Sequence, residues 1–311
     1  MTKLPPISRR TIIRTGAAAA ATFAFGGLMP ARAAGDALVF QTIGDFGWGN
    51  DKQREVAAAM AKVADAGGCD FVVSVGDNIY PEGVQSTDDP KWKTNFEDVY
   101  TAPSLQVPWH VAIGNHDYDG NVEAQIAYSK VSRRWNMPAH YFKVSEMLAD
   151  GTAADFFFTD THPIRRAYRN WMRFVYFPPG EQVAWLEREL AASKAQWKFV
   201  VGHHPIFSGG GHGNTDGLID QFAPLFKRHG VQAYLNGHNH NLEHVAVDGV
   251  HYLTSGAGSE PTPVSPIAGS QFGYGDLGFM NARLTRESLA VEFFDAGAKP
   301  LYRATIPRVM A

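Results

Sequence analysis

The chain has 311 residues, of which 45% are hydrophobic and 19% are charged, and its formal net charge is -3. This composition can bury a sizeable core and excludes an intrinsically disordered protein. The weakly acidic charge does not favour nucleic acid or an anionic membrane as a partner, although a small anion is compatible with it. The single cysteine, Cys69, excludes an intrachain disulfide and a thiolate zinc-finger site.

The N-terminus has the features of an export signal. Arg9 and Arg10 precede an Ala-rich apolar stretch from Gly16 to Leu28, and Ala31-Arg32-Ala33 follows as a small-x-small cleavage site. Because the stretch is shorter than the ~20 residues that span a bilayer, we predict a cleaved twin-arginine signal at residues 1–33 and no stable membrane anchor. Cleavage removes five cationic residues and no acid, so the net charge moves from -3 to -8.

Residues 34–311 are predicted to form a single catalytic domain that is periplasmic or secreted, after export by the twin-arginine translocation machinery. Helical spacing of apolar residues predicts four helices, at Lys52 to Ala66, Val122 to Val131, Glu181 to Lys194 and Ile219 to His229. From Glu243 onward short β-type runs dominate. We therefore expect an α/β protein with two packed mixed β-sheets flanked by helices.

Five short apolar runs are predicted to be buried strands with abrupt polar ends. They are Leu38 to Ile43, Phe71 to Val75, Val111 to Ile113, Phe199 to Val201 and Ala233 to Leu235. The loops that follow them carry residues of the types that bind metals, namely Asp45, Asp77, Asn115, His203, His238 and His240. Because loops at strand C-terminal ends commonly build sites, we expect one sheet edge to collect every ligand.

This mixture of carboxylate, amide and imidazole donors suits two hard or borderline cations. A carboxylate can give one oxygen to each of two cations held ~3.5 to 4 Å apart, and Asp77 is the candidate bridge. Such a pair polarises phosphoryl oxygens and lowers the pKa of bound water. The residues therefore predict hydrolysis of phosphate esters.

Three further side chains are candidates with weaker local signals. Tyr80 follows Asp77 by three residues, but its phenol must ionise to bind a metal, so spacing alone favours a packed aromatic. His116 is expected to face the substrate, and Asp117 to orient a loop. His212 follows three glycines and could protonate a leaving alkoxide, although such a histidine is more often merely exposed.

At these loops the chain resembles the calcineurin-like metallophosphoesterases, and specifically the small purple acid phosphatases, also called tartrate-resistant acid phosphatases. The resemblance extends from Leu38 to Arg308 and implies a four-layer α/β/β/α sandwich. It also implies two metal sites bridged by Asp77. The ferric site would be formed by Asp45, Tyr80 and His240, and the site for divalent iron, zinc or manganese by Asn115, His203 and His238.

The resemblance further implies an acid phosphatase that hydrolyses small phosphate monoesters. A metal-bound hydroxide would attack phosphorus, while His116 and His212 stabilise or protonate the substrate. A phosphodiesterase or nucleotide-cleaving enzyme is the alternative within the superfamily, and a secreted phosphate- or metal-binding protein without turnover is the alternative from another class. We expect a monomer that does not bind nucleic acid.

The chain departs from the family pattern at two places, which leaves its substrate range open. His204 stands where an aromatic residue is usual. The segment after Asp160 is short and basic, with Arg165, Arg166, Arg169 and Arg173. On general grounds we interpret these arginines as a solvated surface run rather than as the rim of a cleft.

Overall fold

The computed structural model describes residues 37–165 and 179–308. The predicted signal at residues 1–33, and with it the predicted domain boundary, lies outside the described residues, as do Arg166, Arg169 and Arg173. Within the described ranges, no helix is long and apolar enough to cross a membrane.

Fourteen strands run through the described part of the chain. They are β1 (Leu38–Ile43), β2 (Phe71–Ser74), β3 (Trp109–Val111), β4 (Trp135–Asn136), β5 (Phe142–Met147), β6 (Ala153–Phe158), β7 (Trp197–Val201), β8 (Ala233–Asn236), β9 (Leu242–Val247), β10 (Val250–Ser255), β11 (Ser270–Tyr274), β12 (Gly278–Leu284), β13 (Ser288–Asp295) and β14 (Pro300–Pro307). The α-helices described are α1 (Asp51–Gly67), α2 (Asn115–Tyr118), α3 (Val122–Tyr128), α4 (Pro179–Ala192), α5 (Asp216–Gln221) and α6 (Ala223–His229).

The strands form two seven-stranded sheets, both of mixed direction. The first has the order β14-β13-β12-β1-β2-β3-β4, with β1 to β4 parallel and the β12 to β14 meander antiparallel. The second has the order β11-β9-β10-β8-β7-β6-β5, with a parallel centre formed by β6, β7, β8 and β10. The predicted fold class is therefore confirmed.

Aromatic side chains fill the space between the two sheets. Phe40 and Phe71 of the first sheet stack at 5.2 Å, and Phe156 and Phe199 of the second stack at 4.7 Å. Phe40 meets Phe156 edge to face at 5.4 Å, so the two stacks join across the sheets. Burial of each phenylalanine side chain contributes about 1.5 to 3 kcal/mol, so this layer helps to hold the sheets together beside the aliphatic residues of the same cluster.

Helices cover the outer face of each sheet. Successive strand residues point to opposite sides, so each sheet has a second apolar face that packing against helices buries. Met60 of α1 belongs to the same buried cluster as Val72 of β2. On the other side, Leu186 of α4 and Phe226 of α6 join a cluster with Val200 of β7. The order of layers is therefore helix, sheet, sheet, helix.

The predicted elements agree with the structure except at a few boundaries. The strand predicted at Val111 to Ile113 lies at Trp109–Val111 instead. The single helix predicted at Ile219 to His229 is two helices that meet at Phe222. Pro224 stands in the first turn of the second helix, where its missing N–H is tolerated, and it disfavours a continuous helix through this point.

Candidate metal centre

The predicted ligands lie at the ends of strands from both sheets. Asp45, Asp77 and Asn115 follow β1, β2 and β3 of the first sheet, whereas His203 follows β7 and His238 follows β8 of the second. The expectation that one sheet edge collects every ligand is therefore wrong. An apolar run indicates where a strand ends but not which strands it pairs with, so the division between two sheets was not visible in the pattern.

The same backbone turn is used three times to present a ligand. Asp45, Asp77 and His238 each follow a glycine at the end of a strand, and their φ angles are 56°, 50° and 68°. A left-handed conformation costs an L-residue about 1 to 2 kcal/mol, so the surrounding contacts must hold these three residues in place.

Hydrogen bonds between loops supply that restraint. The backbone N–H of Asp45 donates to the carbonyl of Gly76 at 3.0 Å, and the N–H of His238 donates to Asp45 Oδ2 at 2.9 Å. Gly114 packs so closely on Asp77 that a Cβ at this position would overlap both the backbone and the carboxylate of Asp77. These contacts hold the loops of the two sheets in place around the carboxylates of Asp45 and Asp77.

Three donors form one compact group, which we call the phenol group: Asp45, Tyr80 and His240. Tyr80 Oη lies 3.4 Å from Asp45 Oδ1 and 3.3 Å from His240 Nε2, and Asp45 Oδ1 lies 3.5 Å from His240 Nε2. Donors bound at about 2.1 Å to one cation lie about 3 to 3.5 Å from each other, so this triangle has the dimensions of half a coordination shell.

The second group, which we call the amide group, consists of Asn115, His203 and His238. His203 Nε2 lies 3.1 Å from Asn115 Oδ1, and the His203 and His238 rings lie 5.0 Å apart. His203 Nδ1 donates to the carbonyl of Val75 at 3.0 Å, because a carbonyl can only accept. This bond leaves the lone pair of neutral His203 on Nε2, the nitrogen beside Asn115.

Asp77 is adjacent to both groups. Its Oδ2 lies 3.0 Å from Tyr80 Oη and 3.4 Å from His203 Nε2. Its Oδ1 accepts a hydrogen bond from the backbone N–H of His116 at 2.8 Å. One carboxylate therefore has a donor of each group within reach, as its predicted bridging position requires.

Burial raises the pKa of two acidic donors, Asp45 and Tyr80. It raises the pKa of Asp45 to about 6, although the positive charges of His203 and His240 oppose it. Burial, together with the charges of Asp77 and Asp45, raises the pKa of Tyr80 well above its ordinary value. A phenol in this position keeps its proton unless a strong cation replaces that proton.

Asp77 and His203 form a buried pair of opposite charge. Burial would raise the pKa of Asp77, but the charge and the hydrogen bond of His203 hold that pKa well below its usual range. Burial would likewise lower the pKa of His203, but the charges of Asp77 and Asp45 raise it to about 9. The Asp77 carboxylate thus stabilises a positive charge at His203, one of the residues that would hold a cation in the amide group.

The two predicted proton-transfer histidines both lie beside the donor groups. The ring of His116 lies 4.6 Å from that of Tyr80, and its Nδ1 donates to the carbonyl of Pro81 at 2.7 Å. His212 is exposed, and its ring stacks on that of His238 at 4.2 Å. Its backbone N–H donates to Asn239 Oδ1 at 2.9 Å, which fixes the glycine-rich loop against the centre.

Asp117 ties two ligand loops together, in agreement with its expected orienting role. Its carboxylate accepts hydrogen bonds from the Asn78 backbone at 3.0 Å, the Gly114 backbone at 2.8 Å and the Gln125 side chain at 2.8 Å. Asn78 adjoins Asp77 in sequence, and Gly114 adjoins Asn115. The buried Asp117 side chain therefore sets the distance between the bridging residue and the amide group.

Sequence reasoning missed the connection between His204 and Arg165. His204 is completely buried, its Nε2 lies 3.1 Å from Arg165 Nη1, and its ring lies 4.4 Å from that of His238. Arg165 is half-buried, so its interpretation as part of a solvated surface run is wrong. Both residues stand out in the sequence as departures from the family pattern, but a contact between positions 39 apart has no local signature.

Comparison with known proteins identifies the family of this chain. Residues 40–242 match the family model of the calcineurin-like phosphoesterases. Purple acid phosphatase 4 of Arabidopsis thaliana is 36% identical over 293 residues, which cover 86% of this chain and 82% of the relative. Tartrate-resistant acid phosphatase type 5 of Homo sapiens is 34% identical over 308 residues, which cover 90% and 95%.

Among solved structures, GAP50, the anchor in the inner membrane complex of Plasmodium, superimposes with a TM-score of 0.79 at 26% identity, covering 88% of this chain and 90% of that one. The family model spans most of the chain, and the curated relatives span nearly all of it. The resemblance found in the sequence is confirmed: the chain belongs to the calcineurin-like phosphoesterases and, within them, to the purple and tartrate-resistant acid phosphatases.

Proposed function

We propose that this protein is a binuclear metal-dependent acid phosphatase that hydrolyses phosphate monoesters. The observation that carries the proposal is the shared carboxylate: Asp77 Oδ2 lies 3.0 Å from Tyr80 Oη and 3.4 Å from His203 Nε2, so it adjoins one donor of each group. The acid phosphatases among the relatives support the same activity.

The residues present fit two cations. His238 Nε2 is buried and makes no hydrogen bond, an arrangement that costs free energy unless the nitrogen binds something. Tyr80 is surrounded by carboxylates that oppose its ionisation, and a highly charged cation would reverse that balance. The phenol group would then hold a ferric ion and the amide group a divalent one, such as iron, zinc or manganese.

When bound, two adjacent cations supply a polarised phosphoryl group and water of lowered pKa. The chain supplies the positioning around them. Asp117 fixes the spacing of the Asp77 and Asn115 loops, and the interlocked loops of the two sheets bury Asp45, Asp77 and His203 almost completely. Such rigid, water-poor surroundings strengthen the electrostatic interactions on which phosphoryl transfer depends.

His212 and His116 are proposed to handle protons and the substrate. His212 is exposed beside His238, and its backbone is fixed by Asn239, so its imidazole is accessible to a leaving group. It is assigned as the acid that protonates the leaving alkoxide. His116 donates from Nδ1 to Pro81, so neutral His116 carries its lone pair on Nε2 and can accept a proton there.

The first test combines metal analysis, a visible spectrum and turnover of p-nitrophenyl phosphate by the purified protein. We expect two cations per chain, a tyrosinate-to-iron absorption band and hydrolysis in mildly acidic buffer. A colourless protein with full activity would refute the iron–tyrosinate assignment alone. Absence of turnover at every pH with both cations bound would refute the proposed phosphatase activity.

Two alternatives are outcomes of the same assay. A higher rate on bis-p-nitrophenyl phosphate than on the monoester would identify a phosphodiesterase. Binding of metal and phosphate without turnover would favour a non-catalytic role. Such a role is worth testing because the similar Plasmodium structure is described as an anchor. The presence of His116 and His212 beside the donors supports turnover, since simple binding does not need them.

We also propose export by the twin-arginine route, supported by Arg9, Arg10 and the cleavage pattern at Ala31 to Ala33. The test is fractionation of expressing cells: wild type is expected outside the cytoplasm, beginning near Ala34. Replacement of both arginines by lysine should retain the protein inside. Unchanged export of that variant would contradict the proposed route.

A further inference from the structure

His204 is placed like a metal ligand but is bonded like a supporting residue. Nitrogen atoms of His203, His204 and His238 all lie within 4.8 Å of one another, so His204 could be a third nitrogen donor to the amide group. However, its Nδ1 lies 2.8 Å from Thr161 Oγ1 and its Nε2 lies 3.1 Å from Arg165 Nη1. Both ring nitrogens are therefore already occupied.

The direction of these bonds follows from the partner. A guanidinium has no acceptor, so Nε2 of His204 accepts from Arg165, and the ring proton is on Nδ1 and is donated to Thr161. With its single ring proton on Nδ1, His204 is neutral. A neutral ring is what an arginine donor requires.

The segment that carries Arg165 is held firmly at its base. Gln182 Oε1 accepts from the Asp160 backbone N–H at 2.7 Å, and Gln182 Nε2 donates to the Asp160 carbonyl at 2.7 Å. Thr161 Oγ1 also accepts from the backbone N–H of His204 at 3.0 Å, and Ile164 is fully buried. These contacts fix the chain up to the residue before Arg165.

Arg165 adjoins the amide group through His204. Its Nη1 lies 3.1 Å from Nε2 of His204, and the ring of His204 lies 4.4 Å from that of His238. The ring of His212 stacks on the same His238 ring at 4.2 Å. The guanidinium therefore lies on the amide-group side of the centre, near the proposed acid.

We propose that Arg165 binds a phosphoryl oxygen of the substrate, and that His204 is the positioning residue that holds its guanidinium toward the amide group. A guanidinium is permanently charged and carries five N–H donors in a planar fork, so its bond to His204 is compatible with further bonds to phosphate. Because a monoester dianion carries more charge than a diester monoanion, this arrangement favours monoesters. The inference rests on the proposed function.

The test compares Arg165→Met, Arg165→Lys, His204→Phe and the double variant Arg165→Met/His204→Phe in the metal-loaded protein. His204→Phe keeps the ring, in the position where an aromatic residue is usual in the family, but removes the acceptor. Arg303→Met is the matched control, since Arg303 is an exposed residue of β14 paired with Glu292. Measurements are the Kd of inorganic phosphate by calorimetry, KM and kcat on mono- and diester substrates, metal content and Tm.

For Arg165→Met we expect phosphate affinity to fall, and KM for p-nitrophenyl phosphate to rise, by about tenfold to a hundredfold, the range of a hydrogen bond to a charged group. His204→Phe should raise both about threefold to tenfold, since the guanidinium is retained but loses its support. The double variant should be no worse than Arg165→Met, because both changes act through one contact. Losses on the diester should be smaller in every case.

A KM and a phosphate Kd within about twofold of wild type for Arg165→Met would overturn the proposal, since a charged contact is worth more than that. A purely structural role predicts instead a lower Tm with unchanged KM. If Arg165→Met does not fold, Arg165→Lys keeps the charge and stem without the fork, and a wild-type KM in that variant would also overturn it. If wild type shows no turnover, the proposed function fails, but the phosphate Kd of these variants still decides the role of Arg165.

Discussion

The phenol group and the amide group share Asp77 but differ in the charge their donors can carry. In the phenol group, Asp45 and Tyr80 can both become anionic, whereas Asn115, His203 and His238 would bind a cation as neutral donors. The backbone is nevertheless similar, since Asp45 and His238 occupy the same glycine-led, left-handed turn on different sheets. The same turn thus presents a carboxylate to one group and an imidazole to the other.

Asp77→Ala should have the largest effect, because it removes the feature that the two groups share. We expect kcat/KM to fall by at least about a thousandfold, with loss of both cations and of the visible band, since neither site retains its common ligand. Metal analysis and the absorption spectrum of the variant check this. If one cation stays with full occupancy, Asp77 belongs to one group only and the shared-carboxylate interpretation fails.

His203→Ala should separate the two groups. We expect activity to fall by about a hundredfold or more because the divalent cation is lost, while the ferric ion and its colour are retained. The spectrum is measured beside the turnover rate on p-nitrophenyl phosphate. Loss of the colour together with the activity would mean that the two groups do not bind their cations independently.

His212→Ala should slow the chemical step without changing metal binding by either group. We expect kcat to fall by about a hundredfold, the usual contribution of a general acid, with colour and metal content unchanged. A substrate with a more acidic leaving alcohol should recover part of the rate, because it needs less protonation. Equal losses on good and poor leaving groups would remove the assignment of His212 as the acid.

Tyr80→Phe should have the smallest effect on rate and the clearest effect on the spectrum. We expect the visible band to disappear and kcat/KM to change by less than about tenfold, because Asp45, Asp77 and His240 still hold the cation. Tyr141→Phe is the matched control, since Tyr141 packs against Trp185 away from the donors. A band that survives Tyr80→Phe would show that the colour has another source.

Most of the fold could be predicted from local patterns. The buried strands before the ligand loops are continuous apolar runs, and the helices show regular apolar spacing, so both follow from side-chain periodicity. The strands β4, β5, β6 and β11 escaped prediction. Along β5 intermediate and exposed residues alternate without a strongly apolar face, and β6 is interrupted by Asp155. The assignment of strands to two sheets depends on long-range pairing, which no local pattern encodes.

The candidate site, like the fold, could be predicted from the sequence only in part. The residue types at the strand ends predicted six donors and the family resemblance added Tyr80; the structure brings all seven together, although their binding of metal stays a prediction. The supporting contacts could not be predicted, because they join distant positions: Arg165 reaches His204, and Asp117 reaches Asn78. A hydroxyl, an amide or a guanidinium in such a contact carries no sequence signature of its own.

The left-handed backbone of Asp45, Asp77 and His238 has a consequence for attempts to make the protein more heat-resistant. Glycine adopts that conformation without steric cost, so a glycine at any of the three positions would relieve about 1 kcal/mol of strain. At Asp45 and Asp77 that gain is offset, because their carboxylates accept hydrogen bonds from the backbone N–H groups of His238 and His116. Nε2 of His238 makes no hydrogen bond, so a library screened only for survival at high temperature would enrich His238→Gly, which removes a predicted metal ligand. Selection for stability in this enzyme has to be coupled at every round to selection for turnover, because the cheapest gains in stability lie where the function lies.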